Sequence, residues 1–230
     1  MAPLQLTLGI SLGPELDLPG FVPGANAGAL AAVEALAHQP QFIYLWGEPG
    51  TGKTHLLHAA CRAAAEDGRR VGLLPLSRAD DWRPEMLEGW DGLDLVAIDD
   101  IDRVLGNPEW EQRLFLLYNA LRDAGASLVI AADRPPASFT RGLPDLLSRL
   151  AGMLVFQLRP LDDDGRLQAL AGRARSRGME LPEEVGRYLL TRVSRNMHDL
   201  IALLDRLDRV SLARQRRLTI PFVRELLESP

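Results

Sequence analysis

An apolar run that ends in a glycine-framed octapeptide constrains this chain more than any other stretch. Phe42-Ile43-Tyr44-Leu45-Trp46 has the length and β-rich composition of a buried strand, and it stops at Gly47-Glu48-Pro49-Gly50-Thr51-Gly52-Lys53-Thr54. The octapeptide fits the phosphate-binding loop G-x-x-x-x-G-K-[ST] at every fixed position. Its glycines allow backbone N–H groups to close around a polyphosphate, and the helix that follows adds its positive end. Lys53 has the reach for the β/γ oxygens, and the Thr54 hydroxyl suits Mg²⁺. Of the 26 Lys and Arg residues, Lys53 is the only lysine. A compact ammonium is therefore kept at the one site where it suits a phosphate cradle better than a planar guanidinium.

The loop orders what surrounds it. The spacing predicts a helix over 53–67 stopped by Gly68, a short strand at Val71–Leu74, and one short helix from Trp82 to Trp90 opened by Pro84. Leu93 to Ile98 reads as a further buried strand, and it runs into Asp99-Asp100-Ile101-Asp102. Carboxylates at the carboxyl end of such a strand, downstream of a phosphate loop, read as the second half of an ATP site. In that role Asp99 holds Mg²⁺ and Asp100 orients or deprotonates the attacking water. Pro108 to Asp123 is an amphipathic helix with Trp110, Leu114, Leu117 and Leu121 on one face, and Ser127 to Ala132 is the next strand. Asp133, at the tip of that strand, reads either as a γ-phosphate or water sensor or as a turn-forming residue before Pro135-Pro136. A short helix over Leu143–Leu150 carries Arg149, and Met153 to Leu158 is the last strand. Five strands alternating with helices argue an α/β, doubly wound parallel sheet over residues 21–159, with Asn26 as the N-cap of its first helix, which runs to about Ala37.

The two ends differ in texture from this middle. Residues 1–20 place Leu4, Leu6, Leu8, Ile10 and Leu12 at every second position among Pro and Gly. This tail is an extended segment, either an edge strand on the chain's own sheet or a peptide that docks in another protein's groove. Residues 160–230 show only helix signals: Asp162-Asp163-Asp164 as a cap, a stop at Gly178, Pro182 and Asn196 as further openings, and Thr219 as a last cap. They predict a small all-helical domain.

Composition narrows the functional classes. The net charge of −5 divides into −8 over residues 1–158 and +3 over 159–230, so the basic stripe that dominates nucleic-acid binding is absent from the pattern. The single cysteine, Cys61, cannot form an internal disulfide, and its apolar neighbours make it a small buried hydrophobe. No leader and no apolar run of membrane-spanning length is seen, which predicts a cytoplasmic protein.

The order of these features, with Tyr44-Leu45-Trp46, His55-Leu56-Leu57-His58-Ala59-Ala60-Cys61, Asp133-Arg134-Pro135-Pro136, Gly142-Leu143-Pro144-Asp145-Leu146, Leu181-Pro182-Glu183 and Leu218-Thr219-Ile220-Pro221-Phe222-Val223, resembles the AAA+ ATPases. Within them it is similar to the DnaA branch and its regulatory members. The resemblance implies that Gly47 to Thr54 form the Walker A loop, with Phe21, Val22, His55 and His198 also around bound ADP or ATP. It implies Thr54 and Asp99 as the Mg²⁺ ligands, Asp99-Asp100 as Walker B, Asp133 as sensor 1 and residues 160–230 as the lid. It makes Arg149 an arginine finger acting in trans; the plainer reading is a surface residue paired with Asp145 one turn earlier. Gln5, Leu6, Leu8 and Ile10 resemble a peptide that docks on the sliding clamp of DNA polymerase III.

The function so implied is negative regulation of replication initiation, by stimulating hydrolysis of the ATP held by the DnaA initiator, with at most slow intrinsic ATPase activity and a homo-oligomer of two or more copies. A self-contained motor or helicase loader, and a DNA-binding fragment of an initiator, are the alternatives. Three departures qualify the likeness: His198 stands where a sensor 2 arginine is usual, with Arg195 nearby; Gly9-Ile10 replaces a proline and a leucine; and Asp100 is shorter than the common glutamate. The chain stops at Pro230 with no helical, basic DNA-reading domain, and the interval between the second and third strands is short, so sequence-specific DNA binding is not expected.

Overall fold

The computed structural model describes residues 16–192, 195–214 and 216–228. Five parallel strands form one sheet in the order β2-β3-β4-β1-β5: β1 (Phe42–Trp46), β2 (Val71–Pro75), β3 (Leu95–Asp99), β4 (Ser127–Ala132) and β5 (Leu154–Gln157). The three central strands, β3, β4 and β1, are buried on both faces and read as continuous apolar runs, whereas the edge strand β5 is largely exposed; alternate residues of the central strands serve opposite layers. Tyr44, Val96, Ile98, Leu128 and Ile130 join one core with α3 (Pro108–Asp123) and α4 (Pro144–Ala151). Ile43, Leu45, Leu95, Ala97 and Val129 join the other with α1 (Ala27–Glu34) and α2 (Lys53–Glu66). Each fully buried aliphatic side chain contributes roughly 1.5–3 kcal/mol, so both layers are well supported. Cys61 lies in the second core with no exposure, and burial pushes its thiol up to about 12.

The chain divides into two compact units. One runs through Glu48 and from Gly52 to Arg159, and the other comprises Pro160 onward together with Pro49–Thr51. The second unit is helical: α5 (Asp163–Ser176), α6 (Glu183–Arg192), α7 (Met197–Arg214) and α8 (Ile220–Glu228). Asp162 caps α5 by accepting from the Gly165 amide, and Thr219 accepts from the Phe222 amide at the start of α8. Leu200, Leu204 and Leu207 of α7 pack on Leu170, Val185 and Phe222. Among the described residues this unit contains no strand.

Two expectations are corrected. Residues 82–90 do not form one helix: Pro84–Leu87 and Trp90–Gly92 are separate 3₁₀ turns, broken by Gly89 at φ +80°. Asn26 is not the side-chain cap of α1. Its carboxamide instead pairs with the backbone of Arg159, donating from Nδ2 to the carbonyl (2.9 Å) and accepting from the amide (2.7 Å). The pull of a buried two-way pairing outweighs the single bond a cap would make. The clamp-peptide residues Gln5, Leu6, Leu8 and Ile10 lie outside the described residues.

Candidate nucleotide site

Strand order explains the site. β4 lies between β1 and β3, so the carboxyl ends of these three strands bring Gly47, Asp133 and Asp99 side by side. Gly47 continues the ladder by donating to Ala132 (3.3 Å). The loop then turns through Gly50 (φ +83°) and Gly52 (φ +98°) into the first residue of α2, which is Lys53. A Cβ at Gly52 would stand 2.8 Å from Cε2 of Phe21, so this position requires glycine for space as well as for conformation. Phe21 is buried there and meets His55 edge-to-face at 5.4 Å, and the His55 Nε2–H donates to the Asp17 carbonyl (2.8 Å).

Lys53 is 6% exposed, which an ammonium tolerates only with partners. Its Nζ donates to the carbonyls of Gly47 (2.6 Å) and Glu48 (3.2 Å) and to Oδ1 of Asp133 (3.0 Å). Asp133 is thus an ion-pair partner, and its own amide donates to Asp102 Oδ1 (3.3 Å). On the neighbouring strand end, Asp99 Oδ2 accepts from the Thr54 hydroxyl (2.6 Å) and Oδ1 from the Asp100 amide (3.1 Å). Burial of Asp99 holds its pKa above the ordinary carboxylate value, against the pull of Thr54 and Lys53. Asp100 is pushed up to about 6, first by partial burial and then by Asp99, Asp102 and Asp133. Its φ of +57° makes it the one non-glycine in the left-handed region among the described residues. Such strain, about 1–2 kcal/mol, is typical of functional positions.

The donor set fits Mg²⁺ in type: Thr54 Oγ1 and Asp99 Oδ2 are hard oxygens on adjacent elements, and Mg²⁺ takes one or two protein oxygens with water and phosphate oxygens. No group of three or more His, Cys, Asp or Glu gathers among the described residues to hold a metal unaided.

Residues 13–157 match the model of the bacterial DnaA ATPase domain. The chain belongs to that family. Residues 163–227 match the Hda lid domain, so this is an Hda-like, DnaA-related AAA+ protein. Domain III of the Thermotoga maritima replication initiation protein DnaA is similar at 27% identity and a TM-score of 0.81, over 96% of this chain and 100% of that one. DnaA from Aquifex aeolicus, bound to AMPPCP, is 27% identical with a TM-score of 0.70, over 86% of this chain and 67% of that one. Thermotoga maritima RuvB, at 19% identity and a TM-score of 0.70 over 94% of this chain and 72% of that one, shares the fold.

Seen as a DnaA-family ATPase fold, the expected residues are distributed unevenly. Lys53, Thr54, Asp99, Asp100 and Asp133 converge, with Phe21 and His55 behind Gly52 and Val22 half-buried next in sequence. Of the loop, Gly47 and Thr51 are buried, Glu48 and Pro49 exposed. His198 is exposed at the second position of α7, where its amide donates to Asn196. Arg149, in the last turn of α4, is half-exposed; its guanidinium lies 6.0 Å from the centre of the Tyr118 ring. It makes no ion pair with Asp145 or any other described residue. Three further residues had no individual role expected of them. Asp102 ties the ends of β3 and β4. His58, one turn beyond Thr54, is half-buried with its pKa lowered by burial. Glu111 is buried although charged. Its helical phase, shared with Leu114, Tyr118 and Leu121, is a signal that could have exposed it.

No helix of the described residues is long and apolar enough to cross a membrane.

Proposed function

We propose that this chain is a nucleotide-bound negative regulator of replication initiation, which presents Arg149 to ATP held by a DnaA-type initiator and promotes its hydrolysis while docked on the sliding clamp through Gln5, Leu6, Leu8 and Ile10. ADP or ATP sits on Gly47–Thr54, its phosphates beside Lys53 and an Mg²⁺ ion at Thr54 and Asp99. In that site Asp133 and Lys53 hold one another in register, Phe21 closes the apolar side, and Asp100 is placed to accept a proton from water. When bound, Mg²⁺ supplies neutralisation of phosphate charge.

The observation that carries the reading is the state of Arg149 in a chain matching both the DnaA ATPase domain and the Hda lid. The guanidinium is propped on an aromatic face and left without a carboxylate partner among the described residues, which keeps it available for a phosphate outside its own unit. Two similar DnaA structures hold AMPPCP, one of them with single-stranded DNA as well. This supports an adenine nucleotide here.

The test is hydrolysis of DnaA-bound ATP, with and without DNA-loaded clamp. Arg149→Ala is expected to lower the stimulated rate by about a hundredfold or more while leaving nucleotide binding intact. Gln5→Ala is expected to remove the effect of the clamp alone. Normal stimulation by Arg149→Ala would end the finger assignment.

A further inference from the structure

We infer that Glu111 is the positioning residue for Arg149, holding α4 in the orientation that presents the guanidinium; this rests on the finger reading above. α4 begins badly by its own sequence. Its N-cap is Leu143, which has no side-chain acceptor, and Pro144 follows. What another helix supplies is a hold on the N-cap residue's own amide. Glu111, in the first turn of α3 and 4% exposed, accepts the Leu143 amide on Oε2 (3.0 Å) and the Gly106 amide on Oε1 (2.7 Å).

Both partners are backbone donors, so the site needs two acceptors. A carboxylate has them; an amide does not. The negative charge also lies at the positive end of α4, where it is favoured. Glycine is required beside it: Gly142 has φ +133°, and a Cβ there would stand 2.5 Å from Glu111 Oε1. Seven residues along the same face of α3, Tyr118 carries the ring beneath Arg149. Tyr118 is itself fixed edge-to-face on Phe42 of β1 at 4.8 Å. α3 therefore grips α4 at two points, its start and its finger. Gly106 adds a link to the segment that leaves Asp99 and Asp100.

Burial of a carboxylate costs stability unless both oxygens are hydrogen-bonded, so Glu111 is not a filler of apolar space. Its two bonds instead specify where one short helix begins. A displacement of about 1 Å at a catalytic group can cost on the order of a hundredfold in rate.

The experiment titrates full-length chain into DnaA–ATP with DNA-loaded clamp, comparing wild type, Glu111→Gln, Arg149→Ala and the exposed control Glu109→Gln. Glu111→Gln is expected to lower the maximal stimulated rate roughly ten- to a hundredfold, with the half-saturating chain concentration and the chain's own ADP affinity each within about twofold of wild type. Glu109→Gln should match wild type. A full maximal rate for Glu111→Gln alongside a dead Arg149→Ala would overturn the inference and leave the finger standing. Normal stimulation by Arg149→Ala would overturn both. Loss of ADP affinity in Glu111→Gln would overturn it in favour of a general structural role. Should Glu111→Gln fail to fold, amide exchange in the wild-type protein decides: protection of the Leu143 and Gly106 amides is expected, and exchange at the rate of open loops would refute the bridge.

Discussion

Asp100 carries two local costs at once, a left-handed backbone and a carboxyl whose ionisation is opposed by burial and by three acidic neighbours. Its folded pKa, near 6, lies above the ordinary value of about 4, so the folded state binds the extra proton. The native fold therefore loses stability as pH rises from about 4 to 6 and keeps that deficit at neutral pH. Asn has the same shape, tolerates the left-handed region and cannot ionise. Asp100→Asn, free of nucleotide and Mg²⁺, should thus gain about 1 kcal/mol at pH 7.5 once solvent screening is allowed for. In urea denaturation the gain should shrink below pH 6 and vanish near pH 4; a gain unchanged at pH 4 would refute the electrostatic origin. The placement of Asp99-Asp100 beside the phosphate loop was legible because that loop precedes a buried strand ending in them. The bond from Lys53 to Asp133 was not, since nothing in sequence reveals that β4 lies between β1 and β3. Glu111 stayed hidden for a related reason: its two donors, at 106 and 143, meet only after α3 and α4 pack.

Elements with strong local chemistry matched their expected bounds. α3 begins at Pro108 after an Asn107 cap, ends at Asp123 and buries the expected stripe, and β4 spans Ser127–Ala132. Periodicity failed where the structure is not periodic. The 82–90 segment has the apolar residues of a helix, but Gly89 adopts a conformation that ends one. Asn26 failed as a cap for a tertiary reason, because the end of β5 offers its carboxamide both a donor and an acceptor. That pairing ties the start of the first helical segment to the second residue after the last strand and sets a prediction for the element. Asn26→Ala removes two bonds at a 3%-exposed position and leaves the Arg159 amide and carbonyl without them, which should cost about 2 kcal/mol. The urea midpoint should fall with an unchanged slope. A cost below about 0.5 kcal/mol would mean that water replaces both bonds.

At the scale of the molecule, the proposed activity separates into a chemical part on α4 and a tethering part in residues 1–20, and the two should respond differently to concentration. Docking on a DNA-loaded clamp adds no group to the reacting phosphate. It raises the local concentration of the chain near the initiator, to the order of millimolar when two sites are linked at short range. A defect in tethering can therefore be offset by mass action; a missing guanidinium cannot. Gln5→Ala should be inert at the concentration where wild type is half-saturating, then approach the wild-type maximal rate as chain is added in roughly hundredfold excess. Arg149→Ala should stay flat over the same titration. If Gln5→Ala reaches a plateau far below wild type, the clamp would be contributing orientation or contacts to the initiator complex, and the tail would belong to the catalytic arrangement.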